Sequence, residues 1–123
     1  MILKTCLLAG GVLAILLIGL SSLSGVKVEI VNLGAVTMQN VSVDVTGASY
    51  PIGDIPAGTS KSVKVEPRSE SSVSIKHSDS TGKQHNLFID TYIEGGYSGK
   101  ITAQVKNGKI TNVKQNIKLT PID

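Results

Sequence analysis

The sequence predicts an all-β fold, an antiparallel sandwich of about seven to eight strands preceded by one N-terminal hydrophobic helix. Three observations carry that expectation. From Val26 onward apolar residues recur at period two, turn residues interrupt them at short intervals, and no stretch repeats at helical spacing. The chain divides by composition into a leader, residues 1–25, and residues 26–123, which suffice for one small domain. The lone cysteine, Cys6, lies in the leader, so the domain has no disulfide and no cysteine metal site, and its stability must come from packing.

The leader carries 22 uncharged residues between Lys4 and Lys27, and Leu7 to Leu20 is an apolar block of 14. A secretory signal needs an apolar core of ~7–15 residues and a small-x-small cleavage site, which Ser22-Leu23-Ser24 before Gly25 supplies. A membrane span needs about 17–25 mostly apolar residues, which residues 5–26 supply. The missing alanine at the cleavage site and the long core favour a kept anchor. The amino terminus and Lys4 precede the span, while Lys27 is offset by Glu29, so the start stays in the cytoplasm and the domain is exported. The expected location is the cell envelope: single-pass membrane with the domain on the periplasmic or extracellular side, or secreted if cleaved near Gly25. Cys6 precedes the apolar run, opposite to a lipoprotein's arrangement.

Val26, Val28 and Ile30 alternate with Lys27 and Glu29, and Val41, Val43 and Val45 alternate with Ser42 and Asp44, which marks the first two strands. Tyr50 and Ile52 give a short third, closed by Gly53 and Asp54; Pro56 and Gly58 turn the chain into Val63 and Val65. Val73 and Ile75 form the next strand. Leu87 to Ile93 is more continuously apolar and reads as a central strand. Ile101, Ala103 and Val105 run into Asn107-Gly108, a two-residue type I′ hairpin signal, and the chain returns through Ile110, Val113, Ile117 and Leu119. The phase slip between Ile110 and Val113 predicts a bulge near Thr111 or Asn112. Eight such strands without a cysteine pair or tryptophan imply an Ig- or fibronectin-like sandwich, not the antibody type.

The order "VEIVNLG", "MQNVSVDV", "IGDIPAGTSKSVKV" resembles the envelope β-sandwich modules of the CARDB and fibronectin-like kind. The matched positions are Asn32, Gly34, Asn40, Val41, Val43, Val45, Ile55, Pro56, Gly58, Val63 and Val65. The chain is also similar to small bacterial envelope proteins with one N-terminal hydrophobic segment and one such domain. The likeness spans Val28 to Val65 and rests on turn glycines and core valines. It implies a fold and no catalytic residue.

The formal charge is +3, and +2 without Lys4, too mild for a nucleic-acid partner; aromatics are few and form no ladder. The weak metal candidates are His77, Asp79, His85 and Asp90, with the two histidines eight apart across a turn; only two good nitrogen ligands exist in the chain. "GGYSG" is not a Gly-x-Ser-x-Gly elbow, and the elbow needs a strand-to-helix turn. Asp90 and Glu94, four apart on a strand, stand about 13 Å apart, too far for an acid–base pair. Tyr92 and Tyr97 read either as packing residues, a corner tyrosine among them, or as a ligand platform, with packing favoured. Lys100, Lys106, Lys109, Lys114 and Lys118 form an acid-free run. They read either as an edge strand protected against aggregation or as a face for anionic lipid or polysaccharide.

The expectation is a non-enzymatic exported module that binds or scaffolds, without cofactor. Its partners are the membrane through residues 5–26 and a protein or polysaccharide, not nucleic acid. A structural subunit of a surface filament and a small metal-binding envelope protein are the alternatives.

Overall fold

The computed structural model describes residues 25–119. Residues 1–24 of the leader, with its expected helix, and residues 120–123 lie outside that range. Eight strands follow in order: β1 Gly25–Asn32, β2 Met38–Val45, β3 Ala48–Ile55, β4 Ser60–Val65, β5 Ser71–Ser78, β6 Gln84–Ile93, β7 Tyr97–Lys106 and β8 Lys109–Leu119. They form two four-stranded sheets, β4-β1-β7-β8 and β3-β2-β5-β6. Among the described residues no helix is long and apolar enough to cross a membrane.

Period two does the local work. Val26, Val28 and Ile30 on β1, Val41, Val43 and Val45 on β2, and Ile101, Ala103 and Val105 on β7 all point inward and are buried. Among the described residues the core counts 16 buried apolar side chains, and all but Met38 and Ala103 are valine or isoleucine. β-branched side chains lose little freedom in a strand and fill a pleated surface well, so a core of small residues can close without aromatics.

Three hairpins follow local turn chemistry: β2–β3, β5–β6 and β7–β8. At the last, Asn107 and Gly108 have φ of 52° and 75°, the left-handed pair a type I′ turn requires. The expected bulge is present: Gln104 pairs with Asn112 and Val105 with Ile110, leaving Thr111 as the extra residue.

Three expectations need correction. The sandwich is not wholly antiparallel, because β1 runs parallel to β7 from Gly25↔Ser98 to Asn32↔Val105. Turn residues specify hairpins, and nothing local specifies a partner some seventy residues away. β6 is an edge strand, not a central one. Its apolar run combines inward Leu87, Ile89 and Ile93 with outward Phe88 and Tyr92, which are 73% and 49% exposed. Ile93 keeps the phase of Leu87 and Ile89, and the register shift between Ser71 and Val73 preserves it because β6 gains two residues over β5 there. β3 extends beyond Gly53 and Asp54 to Ile55, because compensating register shifts against β2 and a φ of 93° at Gly53 carry the pairing through.

The open sides of the sandwich are clasped by single side chains. The Tyr50 hydroxyl donates to the Glu66 carbonyl at 3.2 Å and accepts from the Glu66 amide at 3.0 Å, joining β3 to the end of β4. On the other side Gln115 of β8 donates to the Asp90 carbonyl at 3.1 Å and bonds the Thr91 hydroxyl at 2.6 Å, joining β8 to β6.

Candidate functional site

The outward residues of the β4-β1-β7-β8 sheet follow from the same alternation that buries its valines. Lys27 of β1 stands opposite Lys64 of β4 on one side and Lys100 of β7 on the other. Lys100 faces Asn116 of β8; in neighbouring rows Thr102 faces Lys114, Ser98 faces Lys118, and Lys106 faces Lys109 beside the turn. Seven lysines therefore share one face: Lys27, Lys64, Lys100, Lys106, Lys109, Lys114 and Lys118. The described residues hold eleven lysines and arginines and eight carboxylates. Of those eight, Glu29 alone lies on the strands of this face, and Glu66 sits at its margin just past β4.

Glu29 bonds Lys100 Nζ at 3.4 Å and accepts from the Thr102 hydroxyl at 3.5 Å. Counting it gives +6 for the face, seven lysines less one glutamate, while the rest of the described residues carry four cations against seven acids, or −3. Facing side chains lie about 4.5–5.5 Å apart at Cβ, and like charges in that position cost stability. The row Lys64, Lys27, Lys100 sets two such pairs side by side.

The five lysines singled out in the sequence all fall on this face. Lys27 and Lys64 were missed. Each sits in a short alternating strand that reads as an ordinary solvated face, and only the pairing of β1 with β4 and β7 brings them together. Two shallow depressions mark the surface. One, of about 410 Å³, is lined by Gly25, Lys27, Ser62, Val63, Lys64, Ser98 and Gly99. The other, of about 210 Å³, lies among Lys100, Thr102, Lys114, Gln115 and Asn116.

The histidine candidates gather at the pole of the sandwich that carries the β7–β8 turn. His77 and His85 face each other on β5 and β6, their rings stacked at 5.1 Å between centroids and 17° between planes. Asp79 begins the turn between them, holds Thr81 and Lys83 amides, and bonds His85 Nε2 at 2.8 Å. These bonds to its ionised form, that from His85 foremost, hold the Asp79 carboxyl well below the usual carboxylate range. Burial, followed by the nearby His85, pushes His77 down from the ordinary imidazole value. Asp90 is not part of this group: it lies five residues along β6 from His85, about 16 Å away, with its carbonyl bonded to Gln115. Face-to-face rings do not aim two nitrogens at one point. Among the described residues no group of three or more His, Cys, Asp or Glu side chains is arranged to hold a metal ion. A hollow of about 240 Å³ beside the pair is lined by Val36, Thr37, Asn107 and Gly108 as well.

Tyr92 and Tyr97 pack edge to face, with 6.2 Å between ring centroids. The structural role of a clasping tyrosine belongs to Tyr50.

A two-sheet β-sandwich with its cations concentrated on one sheet face is the class these features define. No family model and no curated protein matches the chain. Among solved structures it is similar to the NMR structure of a protein from Eubacterium rectale, with a TM-score of 0.51 and 8% identity over 74% of this chain and 87% of that one. At that identity the likeness bears on the fold alone.

Proposed function

We propose that this chain is an exported, non-enzymatic β-sandwich module of the cell envelope that binds an anionic partner through the outer face of the β4-β1-β7-β8 sheet. The observation that carries the reading is the row Lys64, Lys27, Lys100, set in a face of seven lysines and one in-strand glutamate. Adjacent like charges oppose folding, and a departure of this kind from local consistency is characteristic of functional surfaces. Protection of an edge accounts for lysines on β8, but β1 and β7 are the inner strands of the sheet.

Export is supported by the apolar leader and the charges before it. An immunoglobulin-like kinship is part of the same reading. Its support is that Asn32, Gly34, Pro56 and Gly58, four of the matched positions, converge in one hydrogen-bonded knot. Asn32 accepts from the Gly34 and Gly58 amides, and Pro56 closes the turn that holds Gly58.

The test is retention of the full chain, in a nonionic detergent, on a sulfated-polysaccharide column. Lys114→Gln/Lys118→Gln should elute at clearly lower salt than the parent, because each lysine neutralising a fixed anion adds about one unit to the salt slope. Lys76→Gln/Lys83→Gln changes net charge equally but lies on the other sheet and its turn, and should elute close to the parent. Equal losses for both variants would reduce the face to net charge alone and sink the proposal.

A further inference from the structure

The lysines are not spread evenly along the face. Lys64, Lys27 and Lys100 form one row near the start of β1, and the adjacent row, Gly25, Ser98 and Lys118, brings a fourth. Here the surface dips into the larger depression, about 410 Å³, between Gly25, Lys27, Ser62, Lys64, Ser98 and Gly99. Gly25 and Gly99 have φ of 106° and 123°, a conformation that glycine adopts readily and other residues resist. The side chains of Lys64 and Glu66 lie beside Gly25. The depression brings the hydroxyl residues Ser62 and Ser98 together with Lys27 and Lys64, a donor set that suits a phosphate oxyanion.

Its position matters as much as its chemistry. Gly25 opens β1, and the apolar run Leu7–Leu20 ends five residues earlier in the chain. Five residues reach at most about 17–18 Å. An apolar run seated in a bilayer thus keeps this end of the lysine face within headgroup range, whereas Lys106 and Lys109 lie at the far end of the same face, some six residues along β7 from Lys100.

Resting on the anion-binding reading of the face, we propose that the trough at the start of β1 holds the phosphate of an anionic phospholipid. The domain then stands end-on against the bilayer through Lys27, Lys64, Lys100 and Lys118. A tethered module docked in this way has a fixed attitude to the membrane and presents its histidine pole and the β7–β8 turn away from it.

The experiment is lysine footprinting of the full chain reconstituted in phosphatidylcholine vesicles with and without phosphatidylglycerol, with each lysine's acylation rate read by mass spectrometry. A lysine close to an anionic surface multiplies the docked population roughly fivefold. Lys27, Lys100 and Lys118 should acylate about tenfold more slowly in the anionic vesicles, with protection lost at high salt. Lys76, Lys83, Lys106 and Lys109 should not change. In Lys27→Gln/Lys118→Gln the docked population should fall roughly 25-fold, so that Lys100 loses its protection. A parallel sample of the chain in nonionic detergent receives a soluble sulfated polysaccharide. Protection by that polymer without protection by anionic vesicles overturns the lipid assignment and leaves the anion-binding face standing. Protection by neither overturns both. Protection of Lys106 and Lys109 equal to that of Lys27 in anionic vesicles overturns the end-on attitude and with it the trough as the lipid site.

Discussion

Asn32 closes β1 and is 2% exposed, yet its amide is fully used. Its Nδ2 donates to the carbonyls of Val36 at 2.8 Å and Ile55 at 2.9 Å, and its Oδ1 accepts from the Gly34 amide at 3.0 Å. One side chain therefore shapes the β1–β2 loop and pins it to the end of β3 in the opposite sheet. Asn32→Ala removes three bonds of about 1 kcal/mol net each and leaves the Ile55 carbonyl buried without that donor. The expected loss is about 3 kcal/mol, a large share of the ~5–15 kcal/mol that holds a domain of this size. With a urea slope of about 1.5 kcal/mol/M the unfolding midpoint should drop by about 2 M at unchanged slope. Asn32→Asp supplies a sharper test, because it keeps the shape and the Gly34 bond but replaces both donors by a carboxylate oxygen aimed at two carbonyls. Burial and those carbonyls raise the folded-state pKa of that aspartate above the unfolded value near 3.9. Its stability is then highest below the unfolded pKa and is lost as pH rises through the folded one. Equilibrium urea unfolding of the full chain in nonionic detergent, at neutral pH and near pH 4, reads both effects. A midpoint within about 0.5 M of the parent for Asn32→Ala, or an Asn32→Asp penalty that does not shrink in acid relative to the parent, would refute the reasoning.

The remaining expectations are read by the same unfolding assay. At Gly99 an added Cβ would meet the Asn116 carbonyl oxygen well inside van der Waals contact, at a φ of 123° that alanine resists. Gly99→Ala should cost about 3 kcal/mol and weaken β7–β8 pairing, visible as faster amide exchange along β8. Phe88→Thr should change stability by less than about 0.5 kcal/mol, because the ring stands in solvent on an edge strand; a core phenylalanine would cost about 3–5. Tyr50→Phe removes both bonds to Glu66 and should cost about 1–2 kcal/mol. His77 has its imidazole pKa depressed by burial and faces His85 and, beyond it, Asp79. Its contribution is fully present above the unfolded value near 6.5 and is lost as pH falls through the window below it. His77→Leu should flatten the stability curve between neutral and mildly acid pH, and an unchanged slope would count against a buried neutral imidazole.

Much of this architecture could be read before the strands were seen together. The alternation of Val26, Val28 and Ile30, of Val41, Val43 and Val45, and of Ile101, Ala103 and Val105 marks which side of each strand is buried, because period two is a property of the extended chain itself. The Asn107-Gly108 hairpin and the Thr111 bulge were legible for the same reason, since turn conformation and phase are local. Phe88 and Tyr92 misled because an apolar residue on an open edge looks the same in sequence as one in a central strand. Their exposure depends on which neighbours β6 has. Asp90 separates from His77, Asp79 and His85 because proximity depends on where along the hairpin the turn falls.

The amino-acid sequence by itself determined the all-β class, the inward set of valines and isoleucines, the hairpin turns and the five lysines from Lys100 to Lys118, all of which rest on spacing within a few residues. The tertiary structure alone decided that β1 runs parallel to β7 and antiparallel to β4. That pairing sets Lys27 between Lys64 and Lys100, closes the sandwich with Tyr50 and Gln115, and makes Asn32 the joint between the sheets. The reason is physical: strand partners are chosen by the packing of two whole sheets on a shared core, and no short stretch of chain contains that choice.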